Sequence, residues 1–194
     1  MIKEWMGALS VVVVVLVTIL YVRQMLAGKI KPHLFTWVIW TLTTGIAAAA
    51  RTTEHAGAGA WGQWAAAASC LIVVILALRQ GEKGITRSDQ IAFGLALLAM
   101  PLWQLTENAL AAVVMVTGID LLGYYPTFRK SWVRPHEEAI FNYVAANVIH
   151  ILSLFATEQI TLVNVLFQVA VFTANTLLII MVLIRRAALA RQNE

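Results

Sequence analysis

Asp120 and His150 are the two side chains in this sequence best placed to move a proton. Each lies inside a long apolar run, Asp120 in residues 108–127 and His150 in residues 138–156. If the first run is a helix, Asp120 sits roughly 18 Å into an apolar layer of about 30 Å. Ionisable groups at such depth are costly and functional by default. His150 lies at a comparable depth, and an Asp–His couple near mid-membrane would carry a proton. The competing reading is that Asp120 bonds a neighbouring backbone group, or that the two side chains face apart.

Neutral polar side chains form stripes at helical spacing in the same runs. Asn164, Gln168 and Asn175 share one face, at i, i+4 and i+11. Tyr143, Asn147 and His150 share another, and Thr117, Asp120, Tyr124 and Thr127 a third. Residues 34–50 carry Trp37, Thr41 and Thr44, and residues 61–79 carry Trp61 and Trp64 beside Gln63. Interhelical hydrogen bonding explains any one of these, at about 1 kcal/mol each. Stripes on several helices point instead to a hydrated path lined by Thr41, Thr44, Trp64, Asn147, Asn164, Gln168 and Asn175.

The same inventory argues against an enzyme. His33, His55, His136 and His150 show no i, i+4 pairing and no HExxH occurs, so no metal site is expected. Cys70 has no His or Lys at helical spacing to activate it. Ser10, Ser69 and Ser153 lack nucleophile context. Residues 160–184 hold no lysine for a retinal Schiff base. No cofactor is expected.

Helices must position these residues, and composition places them in a bilayer. The chain of 194 residues is 60% hydrophobic and 12% charged, and its mean hydropathy is +0.78. A soluble domain would be near 25% charged. Spans of about 20 residues fit near 5–25, 34–50, 61–79, 90–105, 108–127, 138–156 and 160–184. The N-terminal run lacks a convincing small-residue cleavage site and reads as a retained helix. The polar cluster Gln104–Asn108 reads as a turn capped by Thr106 or Asn108, because residues 91–124 as one helix would be roughly 50 Å long.

Charge supports seven spans. One side then carries Lys3 and Arg51. The other carries the remaining twelve of the 14 Lys and Arg, in loops near 23–31, 79–87, 129–134 and 185–191. Cationic loops are cytoplasmic, so the expected localisation is a cell (inner) membrane, N-terminus outside and C-terminus cytoplasmic. Because the +4 net charge is spread over such short loops, nucleic acid is not an expected partner. The expected partners are the lipid bilayer, a small-molecule solute and further copies of the chain as a homo-oligomer.

The chain also echoes itself. YVRQMLAGKIKPH at 21–33 and YYPTFRKSWVRPH at 124–136 align Tyr21 with Tyr124, Pro32 with Pro135 and His33 with His136. Each segment follows the first span of a three-span block. The expected fold is an all-α membrane protein with seven transmembrane helices. It forms one domain over 1–194, with repeat 1 at about 5–79, a linker helix at about 90–105 and repeat 2 at about 108–184. The odd linker makes the two three-helix-bundle repeats parallel.

This plan, with the N-terminus outside, resembles the PQ-loop/SWEET superfamily of small transporters. Tyr125-Pro126-Thr127-Phe128-Arg129-Lys130-Ser131 is similar to the superfamily's Pro-Gln signature, with Thr127 in place of Gln. Repeat 1 aligns Arg23-Gln24 there, keeping the Gln without the Pro. A vitamin-transporter family shares the plan. The resemblance implies a pathway for a sugar, amino acid or vitamin-like solute between the repeats, opened to each side in turn. It makes Pro126 a hinge, as a proline in a helix allows; proline is also simply frequent in membrane helices. A seven-helix receptor or sorting receptor on the same scaffold is the alternative.

Overall fold

The computed structural model describes residues 1–28, 34–80, 108–138 and 140–192, with residues 87, 90, 91, 94 and 98 between. The linker helix expected near 90–105, the turn residues 104–107 and the first Pro-His pair at 32–33 lie outside the described residues, apart from those isolated positions. The described residues are all-helical. They form α1 (Ile2–Leu26), α2 (Leu34–Thr53), α3 (Trp61–Gln80), α4 (Ala109–Val133), α5 (Ile140–Ala156) and α6 (Leu162–Gln192). Short 3-10 turns at Gly57–Ala60 and Pro135–Glu137 lead into α3 and α5.

Three stretches are long and apolar enough to cross a membrane: Ile2–Leu26, Gly57–Arg79 and Leu162–Arg191, with mean hydropathies of 2.5, 1.9 and 2.2. They mark the chain as membrane-embedded. The valine run of α1 would disfavour a helix in water. In a bilayer every backbone group must be satisfied within the chain, and a helix achieves that locally. α1 turns Leu9, Val12, Leu16 and Ile19 outward and buries Gly7, Ser10 and Val14. That small-residue face allows close approach: a Cβ on Gly7 would lie 2.6 Å from the Ala58 carbonyl oxygen.

Asn108 caps α4, its Oδ1 accepting the Ala111 N–H at 3.0 Å. α4 then runs through Pro126 to Val133, six residues past the boundary read from the sequence. Thus Arg129 and Lys130 belong to the last turns of a helix and not to a loop. α6 likewise continues past 184 to Gln192. There Arg185 stacks 4.7 Å from the Trp132 ring centre, and Arg186 donates to the Pro135 and Glu138 carbonyls at 3.1 and 2.8 Å. Apolar content stops at those boundaries, but these donors hold the helix beyond it.

The six helices close into a ring in the order α1, α3, α2, α4, α6, α5, with α5 packing back on α1. Within the first three, α3 packs between α1 and α2; within the last three, α6 packs between α4 and α5. The triplets meet at two seams, α2 on α4 and α1 on α5. Ile46, Ala47 and Ala50 of α2 pack there against Ala112, Val113 and Val116 of α4 and Val163, Phe167 and Val171 of α6. Met25, Val73 and Ala77 form a second cluster inside the first triplet, at the far end of the ring.

Candidate functional site

The ring encloses a cavity of about 500 Å³ to which all six helices contribute. Thr18 and Tyr21 come from α1; Trp37, Trp40 and Thr44 from α2; Gln63, Ser69 and Cys70 from α3. Asp120, Tyr124 and Thr127 come from α4, Asn142, Tyr143, His150 and Ser153 from α5, and Phe167, Gln168 and Asn175 from α6. One wall is aromatic. The Tyr21 and Trp37 rings lie 4.9 Å apart, and the Trp37 and Trp40 rings 5.2 Å apart in an edge-to-face pair.

One end of the ring is sealed, where α1, α3, α4 and α6 begin and α2 and α5 end. The seal joins the triplets through backbone and short side chains. The Glu158 N–H donates to the Ala56 carbonyl at 3.1 Å. Ser153 Oγ donates to the Gly59 carbonyl at 2.6 Å, and Asn164 Nδ2 to the Glu54 and Gln159 carbonyls at 2.8 Å each. At the opposite end, the second triplet carries bonds of its own: Ser131 Oγ and Tyr143 Oη donate to the Glu138 carboxylate at 3.1 and 2.8 Å.

Arg51 lies at the heart of the seal. The sequence reading counts it as a loop cation, and the structure corrects this: it belongs to the last turn of α2 and is fully buried. Its Nη1 donates to Gln63 Oε1 at 2.9 Å and to Ser153 Oγ at 2.8 Å, and its Nη2 to Thr157 Oγ1 at 2.8 Å. All three partners are neutral. A guanidinium can only donate, so Gln63 must turn its oxygen to Arg51. Gln168 Nε2 donates to that same oxygen, which leaves Gln168 Oε1 to accept from His150 Nδ1. One buried cation thereby sets two amides and a histidine tautomer, and it leaves Gln63 Nε2 without a partner among the described residues.

Of the residues singled out from sequence, Thr44, Asp120, His150, Gln168 and Asn175 line the cavity. Asp120 and His150 share it without an ion pair between them. Among the described residues Asp120 Oδ1 accepts a single long contact, 3.4 Å from Thr43 Oγ1. Asn147 stands behind the wall, where Asn175 Nδ2 donates to it and it donates to Thr176, both at 3.0 Å. Tyr124 Oη completes this chain by donating to Asn175 Oδ1 at 2.6 Å. Thr41 bonds its own helix at the Trp37 carbonyl. Trp64 faces outward and donates to Thr52. Asn164 ties the sealed end. Pro126 lies within α4.

Compared with protein-family models, curated proteins and solved structures, the chain matches none.

Proposed function

We propose that this protein is a small-solute carrier of the cell (inner) membrane, working by alternating access between two three-helix repeats. The observation that carries the reading is the cavity: of solute size, apolar over most of its wall but studded with Gln63, Asp120, His150, Gln168 and Asn175, built from all six described helices, and sealed at one end by bonds between the triplets. Exchanging α1, α2 and α3 for α4, α5 and α6 maps the ring order and both seams onto themselves. Such an arrangement supports a parallel repeat whose halves can rock about the seams. The remaining span near 90–105 would link them and bring the total to seven. The cationic ends fit a cytoplasmic side, so the cavity faces the cytoplasm in this state. No chemical step is part of the reading, and no direct proton transfer between Asp120 and His150 is needed.

Counterflow of a panel of radiolabelled sugars, amino acids and nucleosides into vesicles holding the purified protein tests it. Saturable exchange of at least one solute is expected. Binding without exchange would favour a receptor on the same scaffold.

Sidedness has its own test in Cys70, the single cysteine, which lines the cavity. A membrane-impermeant thiol reagent should label it from the cytoplasmic face of inside-out vesicles and at least tenfold more slowly from the other face. Equal rates would refute the sealed end.

A further inference from the structure

The cavity is flanked by two buried ionisable groups of opposite sign, and neither has an ion-pair partner among the described residues. Arg51 is fully buried at the sealed end, and no carboxylate among the described residues lies within ion-pair distance of it. Its neighbours in sequence and space, Glu54 and Glu158, are not paired with it. Asp120 is buried in the α4 wall, and no cationic side chain among the described residues pairs with it. The one ion pair described joins the N-terminus to Glu4, outside this region. Opposite charges buried in one protein ordinarily pair, because the interior screens them poorly. Here they are kept apart, on different sides of one cavity.

Arg51 reaches the cavity through Gln63. The guanidinium holds Gln63 Oε1, so Gln63 Nε2 is the free end of the amide. Gln63 is itself buried, at 4% exposure, and lines the cavity. A buried donor with no acceptor is costly unless a ligand supplies one. Asp120 lines the cavity directly, and among the described residues its carboxylate keeps lone pairs beyond one long contact with Thr43. Asp120 is level with Thr43 of α2, and the rings of Trp37 and Trp40 line the cavity farther from the seal, toward the start of α2; Val73 and Phe167 add apolar wall.

Resting on the carrier reading, we infer that the transported solute is a zwitterion. Its carboxylate accepts from Gln63 Nε2 under the positive field of Arg51, its ammonium meets Asp120, and its apolar body lies against the aromatic wall. One such molecule supplies both missing counter-charges and adds no net charge to the cavity. A neutral sugar supplies neither, and a simple acid or amine supplies one while leaving the other charge opposed or alone.

The test uses the full chain in lipid vesicles and two matched sets of probes. One set is phenylalanine, phenethylamine and 3-phenylpropionate; the other is leucine, isoamylamine and 4-methylvalerate; glucose is the neutral control. The readout is protection of Cys70 from a maleimide, with counterflow of the same compounds measured in parallel. In at least one set the zwitterion should protect at a concentration roughly tenfold or more below that of its amine and acid.

Two variants should switch the preference in opposite directions. Gln63→Glu gives Arg51 an internal carboxylate, so the zwitterion should lose its advantage and the amine become the better ligand. Asp120→Asn removes the ammonium's partner, so the acid should become the better ligand. If one variant fails to fold, the other decides. Equal protection within both sets, protection by glucose alone, or no protection by any probe would overturn the inference. Counterflow of glucose without protection by a zwitterion leaves the carrier and removes the zwitterion. Protection by a zwitterion without counterflow keeps the site and removes the carrier.

Discussion

Replacing Gly59 by alanine should break the seal and expose the cavity from its closed side. Gly59 lies in the 3-10 turn before α3, directly beneath the end of α5. A Cβ there would stand 2.5 Å from Thr157 Oγ1, 2.7 Å from Thr157 Cα and 2.9 Å from the Ser153 carbonyl oxygen. Two of those three atoms are backbone and cannot rotate away. The turn and α5 must therefore separate, and the Ser153 Oγ bond to the Gly59 carbonyl is lost with them. Overpacking of this kind costs about 1–3 kcal/mol. The cost falls on the sealed state alone, because Gly59 and Thr157 belong to different triplets. At about 1.4 kcal/mol per factor of ten, the balance should move by roughly ten- to a hundredfold toward the state open at this end. Labelling of Cys70 from the previously protected face should rise accordingly. Gly118→Ala is the control, since a Cβ there meets nothing within 4 Å. An unchanged labelling rate in a folded Gly59→Ala protein would mean that this contact is not the gate.

Much of the ring was legible in the sequence. Apolar length fixes the described helices to within a few residues at most ends, and the period of Asn164, Gln168 and Asn175 places them on the buried face of α6, where all three are 1% exposed or less. Periodicity gives a face but not a depth. Asn164 shares its face with Gln168, yet one turn earlier it is level with the loops and ties them. Adjacent positions are harder still. Gln63 and Trp64 lie about 100° apart on one helix, so one turns inward only if the other turns away. Nothing local says which: Trp64, expected to line the path, is 46% exposed, while its neighbour Gln63 is at 4%. Arg51 escaped for a tertiary reason. Its burial depends on the Gly57–Ala60 turn and the end of α5 closing over it, more than a hundred residues away in the chain at Ser153 and Thr157. A charge count can register such a residue only as a loop cation.

Arg51→Met should leave the fold as stable as before, or more so, while removing carboxylate-dependent binding. Burying a guanidinium costs several kcal/mol even after relaxation, and no carboxylate among the described residues offsets it here. The carbonyl end of α2 offsets part, since a helix C-terminus acts as roughly half a negative charge, and the three neutral acceptors contribute about 1.5–3 kcal/mol each as bonds to a charged donor. Those acceptors do not depend on Arg51 for satisfaction. Gln63 Oε1 still accepts from Gln168, Ser153 Oγ still donates to the Gly59 carbonyl, and Thr157 Oγ1 still donates to the Ser153 carbonyl at 2.8 Å. Methionine fills much of the volume with a flexible apolar chain, and it removes the unpartnered Nε with the charge. Replacing buried charged groups by such residues is often neutral or stabilising by about 1–4 kcal/mol. The melting temperature of the purified variant should therefore hold or rise, whereas the zwitterions of the two probe sets should lose at least tenfold in their protection of Cys70. A fall of many degrees in melting temperature, with probe protection intact in the folded fraction, would make Arg51 a structural clasp. Stability kept and binding lost would mean that the protein holds an unpaired charge in its interior for the solute that completes it.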